Sequence, residues 1–378
     1  MPIPPHVQAR RAALSQVAKE TKAVLPGILA QLPHLQATQS EVYHLNNLPE
    51  LEPSACPRFE LASSSSALSP SAPSSSTNGK RGGGGQRQRT YGTVVKVLNE
   101  DSLDAAIMMA ESLARQPATP TATTTAATVT ATTGEGTADA DAEDGRNRRV
   151  AVLNLASERT PGGGWLSGAI AQEEALCYRS SLSLSLHRAY YPLAPRSAIY
   201  TRDVVVVRSS MGSGHRLLLP QQAPQAPQTP GTPTPRRLPV VSVVSVAGVR
   251  RPEVEEMAAA AAGDGAGRGQ RGRGERMFRH AADRDLTRDK MRLALRVAAA
   301  EGHELLVLGA LGCGAFGGPP DDVARCWLGV LEEPEFAGGW FREVWFAVLD
   351  KDGRPGGNFD VFERVLGGRE VGKVVVKE

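Results

Sequence analysis

Aromatic residues are scarce in this chain: eight Phe, six Tyr and four Trp, 5% of 378 residues. The 41% hydrophobic content is nevertheless enough for a sizeable core. Cysteine is also rare. Cys56, Cys177, Cys313 and Cys326 include no C-x-x-C pair, and they form no cluster with the seven histidines at metal-ligand spacing. That excludes a disulfide scaffold and a zinc module. It predicts reduced thiols in a cytoplasmic or nuclear compartment, with no metal and no organic cofactor. No apolar run reaches the length of a membrane span. The opening segment MPIPPHVQARRAALSQ lacks the apolar centre of a secretory signal. It carries arginines and no acid before Glu20, a feature shared with organelle transit peptides. The net charge of +3 implies no strong field, and no sequence-specific binding of nucleic acid is expected. The basic run GRGQRGRGERMFRH reads as a disordered segment.

Glycine and proline are plentiful, with 39 and 27 residues. Many fall in four biased stretches without apolar periodicity: 63–89 (Ser/Pro, then GKRGGGGQRQR), 117–147 (Thr/Ala, turning acidic), 221–237 (Pro/Gln/Thr) and 258–274 (Ala/Gly/Arg). Such stretches cannot offset the entropy of ordering and read as disordered insertions into surface loops. Without them about 280 residues remain, which suits a single domain spanning 1–378.

The rest alternates between helix and strand patterns. A helix is expected over 10–32, broken near Pro26, and a strand over 93–98. Asp101 or Ser102 should cap a helix with Leu103, Ile107, Ala110 and Leu113 on one face. Strands are expected at 150–155, 204–207, 240–246, 305–308 and 344–349. Helices are expected over 171–186, from a cap at Thr287 to Gly302, over 320–331, and from a cap at Asn358. Valine-rich strands between helices predict a three-layer α/β/α domain.

One segment carries most of the chemistry: 161–174, reading PGGGWLSGAIAQEE. Gly162, Gly163 and Gly164 let backbone N–H groups approach a ligand where a Cβ would intervene. Glu173 and Glu174 open a helix, whose N-terminus carries orphan N–H groups and partial positive charge. An anion cradle therefore lies beside paired carboxylates. Adjacent helical residues are about 100° apart, so the two carboxylates should not meet at one atom. One is free to hold sugar hydroxyls while the other transfers a proton. Two acids in a first turn also suit the helix dipole alone. Asn154, near the end of an apolar strand, lies at the carboxyl edge where open α/β sheets bind ligands; it also suits a local turn.

A second glycine-rich loop, GALGCGAFGG at 309–318, joins a strand to a helix beginning near Asp321 and Asp322. Its backbone amides can form an anion nest. It lacks G-x-x-x-x-G-K-[ST], which excludes a nucleoside triphosphate loop of that type. Gly312, Cys313, Gly314, Ala315, Phe316 and Gly317 are its candidate ligand contacts. Cys313 suits a small residue in a tight turn better than a nucleophile, and Phe316 suits either stacking on a ribose or adenine or packing in the core. A branched side chain at Gly163 or Gly314 is expected to weaken ligand binding.

GGG followed by QEE at this spacing resembles the signature of the microbial-type poly(ADP-ribose) glycohydrolases. VAVLNLAS at 150–157, SVVSVAGV at 242–249, VLGALGCGAFGGPPDDVA at 307–324, RRAALSQVAKET and VVKVLNEDSLDAA extend the resemblance between about Arg10 and Leu349. It implies a macrodomain-like fold with a mixed central sheet. It implies hydrolysis of O-glycosidic ribose–ribose bonds with Glu174 as general acid and Glu173 orienting the ribose. Gln172 would support the loop, Asn154 and the triplet would line the ribose region, and the second loop would hold the diphosphate. Shielding from solvent should raise the pKa of Glu174. Partners would be poly(ADP-ribose) or ADP-ribosylated proteins, met by a monomer. The same pocket also fits a mono-ADP-ribosyl hydrolase or a non-catalytic ADP-ribose reader. Two positions depart from the family pattern: Gly318, where an Asn is expected, and AGVRRPE after the 240–246 strand, where a Pro/Asn-bearing loop is expected.

Overall fold

The structure is a computed structural model that describes residues 4–61, 88–115, 149–218, 238–257, 274–350, 353 and 355–377. Most of the four expected insertions lie outside the described residues. Two edges of that expectation need correction. Gln88 and Arg89 belong to a strand, and so do residues 275–278 of the basic run read as disordered. Both segments are ordered by pairing with a neighbouring strand, which local composition does not reveal.

Along the chain, helix α1 (Pro5–Leu29) precedes β1 (Glu41–His44), the long strand β2 (Gln88–Leu98) and α2 (Ser102–Ala114). Then come β3 (Ala151–Leu155), the short helix α3 (Gln172–Arg179), β4 (Ser197–Val205) and β5 (Val240–Val246). A hairpin of β6 (Val254–Met257) and β7 (Glu275–Phe278) leads to α4 (Ala281–Ala300), β8 (Leu305–Leu308) and α5 (Pro320–Leu331). The described chain closes with β9 (Glu343–Ala347), α6 (Asn358–Leu366) and β10 (Glu370–Lys377).

Eight strands form one sheet in the order β1-β4-β5-β3-β8-β9-β2-β10. The five central strands, β5 to β2, run parallel, and antiparallel strands close both edges. Side chains alternate across the sheet with a period of two. Val152, Val243, Val307 and Trp345 pack on one face with Leu14, Leu103, Met109 and Leu176 from α1, α2 and α3. Leu153, Val244, Leu306 and Phe346 pack on the other with Met291, Leu295, Trp327 and Phe362 from α4, α5 and α6. This is the expected three-layer α/β/α arrangement with a mixed sheet. The central strands are apolar throughout because both faces are covered.

Local expectations fail where side chains use the backbone in more than one way. Asp101 is the cap of α2, accepting from Leu103 N at 2.9 Å. The buried side of α2 is Leu103, Ala105, Ala106 and Met109; Ile107 and Leu113 are only half-buried and Ala110 is exposed. Thr287 does not cap α4. It is buried inside the helix and donates to the Asp283 carbonyl at 2.7 Å, a bond Thr makes within helices. Asn358 is the first helical residue after a Gly357 cap. Pro26 lies in the last turn of α1 without breaking it earlier. Helix α3 stops at Arg179, because Ser180 becomes extended and bonds back to the Leu176 carbonyl at 2.7 Å.

Arg179 ends α3 nearly fully buried. Its guanidinium pairs with Asp101 and Asp104 at the start of α2 and donates to the Arg208 carbonyl at 3.2 Å. One cation thus joins two helix ends and the segment that follows β4. Removing one partner of a buried pair costs about 3 kcal/mol, mostly from the groups left behind. Arg179→Met should therefore lower the thermal midpoint by several degrees in a melting experiment. An unchanged midpoint would show that Asp101 and Asp104 are satisfied without it.

Candidate active site

The site grows from the carboxyl end of β3. Asn154 is fully buried there and opposite Ser245 on β5; its Nδ2 donates to Ser245 Oγ at 3.0 Å and reaches Glu173 Oε1 at 3.4 Å. The chain then loops out through the glycine triplet and returns as α3. Gln172, the first residue of α3, accepts from Leu155 N at 2.9 Å and donates to the Leu153 carbonyl at 2.8 Å and Ser102 Oγ at 3.1 Å. It therefore sews the start of α3 to β3 and to the start of α2. The loop itself is fastened by Tyr178, whose hydroxyl donates within 2.9 Å of the Trp165 and Ala169 carbonyls. Ser15 of α1 adds a bond to the Leu166 carbonyl at 2.8 Å.

Glu173 and Glu174 are both buried, contrary to the usual place of acids at a surface helix start. Glu174 occupies the third helical position. Its Oε2 accepts from Ala171 N at 3.0 Å, and its Oε1 accepts from Gly164 N at 2.8 Å. Glu173 accepts from Ser157 N at 2.7 Å. The expectation that the carboxylates diverge is corrected here. A Cβ built on Gly163 would stand 2.4 Å from Glu174 Oε1 and 3.0 Å from Glu173 Oε2. Both side chains bend back past the helix start to the same turn, which two flexible methylenes allow. Gly163 has φ +58°, so this backbone also requires glycine. A valine at this position would therefore disturb the carboxylates and the fold together.

Burial falls most heavily on Glu173. It pushes the Glu173 pKa up to about 8. The amide of Ser157 opposes this, the charge of Glu174 adds to it, and the bonds from Asn154 and Gly162 oppose it in turn. The deep position of Glu173 lets it hold its proton near neutrality. Burial likewise raises the thiol pKa of Cys177, whose Sγ lies 3.0 Å from where a Gly162 Cβ would be.

The second glycine-rich loop leaves β8, the parallel neighbour of β3. The loop after β5, on the other side of β3, reaches across to it. A Cβ on Gly248 would stand 2.8 Å from Gly312 Cα, so the two backbones touch. Arg251 N donates to the Phe316 carbonyl at 2.8 Å, and the Arg250 guanidinium stands 6.0 Å from the Phe316 ring centre. The AGVRRPE departure is therefore part of the loop's support. Gly314 and Ala315 are exposed, with open space where a Gly314 Cβ would go. The amides of Gly314, Ala315 and Phe316 donate to no other described residue. Gly317 N and Gly318 N instead close turns onto Gly314 and Gly312. Cys313 is half-buried, and burial raises its thiol pKa, which argues against a nucleophile. Asp321 and Asp322 serve structure, accepting from Arg276 N and Phe278 N of β7 at 3.1 and 3.0 Å.

The structure thus brings Asn154, Gly162, Gly163, Gly164, Gln172, Glu173 and Glu174 together. It sets Gly312 to Gly317 on the adjacent strand end. Ser157 and Ser245 were not singled out from sequence. Ser157 acts through its backbone, which no residue type advertises, and Ser245 is one more small residue in an apolar strand. Among the described residues no helix is long and apolar enough to cross a membrane.

The family model of the microbial-type PARG catalytic domain matches residues 75–209. That span holds the glycine triplet and residues 172–174; the second glycine-rich loop lies beyond it. Among solved structures, poly(ADP-ribose) glycohydrolase from Thermomonospora curvata is 24% identical, with TM-score 0.54, over 95% of this chain and 99% of its own. Its structure with the inhibitor ADP-HPD is 24% identical, with TM-score 0.54, over 94% and 98%. The Deinococcus radiodurans poly(ADP-ribose) glycohydrolase in complex with ADP-ribose is 25% identical over 72% of this chain and 83% of its own, with TM-score 0.45. Among curated proteins, none matches the sequence.

The state of Glu173 is open to test. The folded protein holds its proton up to about pH 8, whereas an unfolded glutamate loses it near 4.5. Its contribution to stability is therefore complete below pH 4.5 and is lost as pH rises through 8. Glu173→Gln keeps an acceptor for Ser157 N but cannot ionise. Its thermal midpoint should gain on the wild type between about pH 5 and pH 8. Parallel curves across that range would mean Glu173 is already ionised in the folded protein.

Proposed function

We propose that this chain, whose residues 75–209 match the family model of the microbial-type PARG catalytic domain, hydrolyses the O-glycosidic ribose–ribose bonds of poly(ADP-ribose) and releases ADP-ribose. The observation that carries this reading is the pair of buried carboxyls at the start of α3, gathered on the Gly163 turn. A ligand-binding module needs no such arrangement, since burying two carboxyls together is costly and binding alone does not reward it.

In this reading each residue takes a role that the resemblance implies and the geometry accommodates. The distal ribose lies against the Gly162–Gly164 turn, with its hydroxyls held by Glu173 and Asn154. Glu174, fixed by two amides, transfers a proton to the leaving 2′-oxygen and then takes one from the attacking water. Gln172 holds the start of α3 in register with β3. The diphosphate sits on the free amides of Gly314, Ala315 and Phe316, with Gly312, Cys313 and Gly317 shaping that nest. Its negative charge offsets the positive charge that develops on the ribose as the bond breaks. We read 1–378 as one domain with loop insertions, acting as a monomer on polymer or on ADP-ribosylated protein. All four cysteines are unpaired, which suits the cytoplasm or nucleus.

Glu174→Gln tests the general acid. Loss of such a group costs about 10²–10⁴-fold in rate. Glutamine offers one oxygen to two amides, so one of Gly164 N and Ala171 N loses its acceptor, at about 1–3 kcal/mol of stability. The folded variant should bind ADP-ribose within about threefold of wild type while polymer turnover collapses. Turnover within threefold of wild type would remove Glu174 from this role.

A further inference from the structure

Asn154 Oδ1, on the side chain that reaches Glu173, and the Tyr191 hydroxyl are buried without a hydrogen-bond partner among the described residues. Buried polar groups are nearly always paired, and an unpaired hydroxyl costs about 1–3 kcal/mol. Asn154 is already committed through its Nδ2 to Glu173 and Ser245. Tyr191 has no assigned part in the chemistry.

Its position is fixed from two sides. Two residues on, Leu193 N donates to the Glu158 carbonyl at 2.8 Å. Glu158 follows Ser157, whose amide holds Glu173. The segment bearing Tyr191 is thus fastened to the loop that clamps the carboxyl. The Tyr191 ring also packs on the cluster containing Trp165, Cys177 and Leu193. Cys177 in turn lies against the Gly162 turn. Burial first, then the charges of Glu173 and Cys177, push the hydroxyl pKa upward, which places Glu173 within electrostatic reach and keeps the hydroxyl protonated.

We propose that the Tyr191 hydroxyl is a substrate contact: with Asn154 Oδ1 and Glu173 it binds the hydroxyls of the distal ribose. The chemistry matches. A phenol both donates and accepts, an amide oxygen accepts, and neighbouring ribose hydroxyls offer donors and acceptors side by side. The ribose then supplies the partner that each buried atom lacks. This rests on the reading of the site as one for ADP-ribose.

Tyr191→Phe removes only the hydroxyl. Since that atom has no partner in the folded protein, the thermal midpoint without ligand should stay equal or rise. ADP-ribose binding, measured by calorimetry, should weaken about tenfold, which corresponds to 1.4 kcal/mol. Binding of ADP, which lacks the distal ribose, should not change. Unchanged ADP-ribose affinity, equal weakening for both ligands, or a midpoint lowered by several degrees would each overturn the proposal. Failure of the wild-type protein to bind ADP-ribose would instead overturn the functional reading beneath it.

Discussion

Two carboxylates and a backbone turn compete for the space where a side chain on Gly163 would stand. Glu174 Oε1 and Glu173 Oε2 both reach it, and the turn itself has φ +58°. The rest of the site keeps this arrangement in place. Gln172 fixes the start of α3 against β3, and Tyr178 and Ser15 hold the outgoing loop. Arg179 pins the other end of α3 to α2. Helix α3 is only eight residues long, too short to be stable alone. Its geometry is imposed by what it is tied to, and a short helix so tied delivers two buried carboxyls at a defined depth.

That depth separates the two residues chemically. Glu173 sits lower, and burial holds its proton near neutrality. Glu174 lies at the rim of the same turn with two amides as donors. Neighbours in sequence thus acquire different surroundings, as acid–base pairs at active sites do. The parallel centre of the sheet places the second glycine-rich loop beside them. The meeting of the loops after β5 and β8 across β3 makes one continuous rim from separate stretches of chain.

Much of this could be read from the residues. The central strands at 240–246 and 305–308 and the helix at 320–331 follow from apolar runs bounded by Gly and Pro. The glycine triplet and QEE mark the candidate site because few other demands place these residues together. What sequence hides is pairing. β1 and the β6–β7 hairpin are four-residue strands with no clear alternation, and β10 is an irregular edge; each is a strand because a neighbour accepts it. Ser157 acts through its amide, and Tyr191 looks like one more tyrosine in YYPL. The bending of both glutamates to one point also escapes a helical-wheel argument, which fixes Cα–Cβ directions but not where long side chains end.

The most direct test is whether the protein cleaves poly(ADP-ribose). Purified wild-type protein, incubated with labelled poly(ADP-ribose) and separately with a mono-ADP-ribosylated protein, with products separated by chromatography, addresses this directly. The predicted result is steady release of monomeric ADP-ribose from the polymer. Intact polymer, with ADP-ribose released only from the mono-modified protein or from neither, would contradict the assignment of the carboxyl pair to ribose–ribose cleavage.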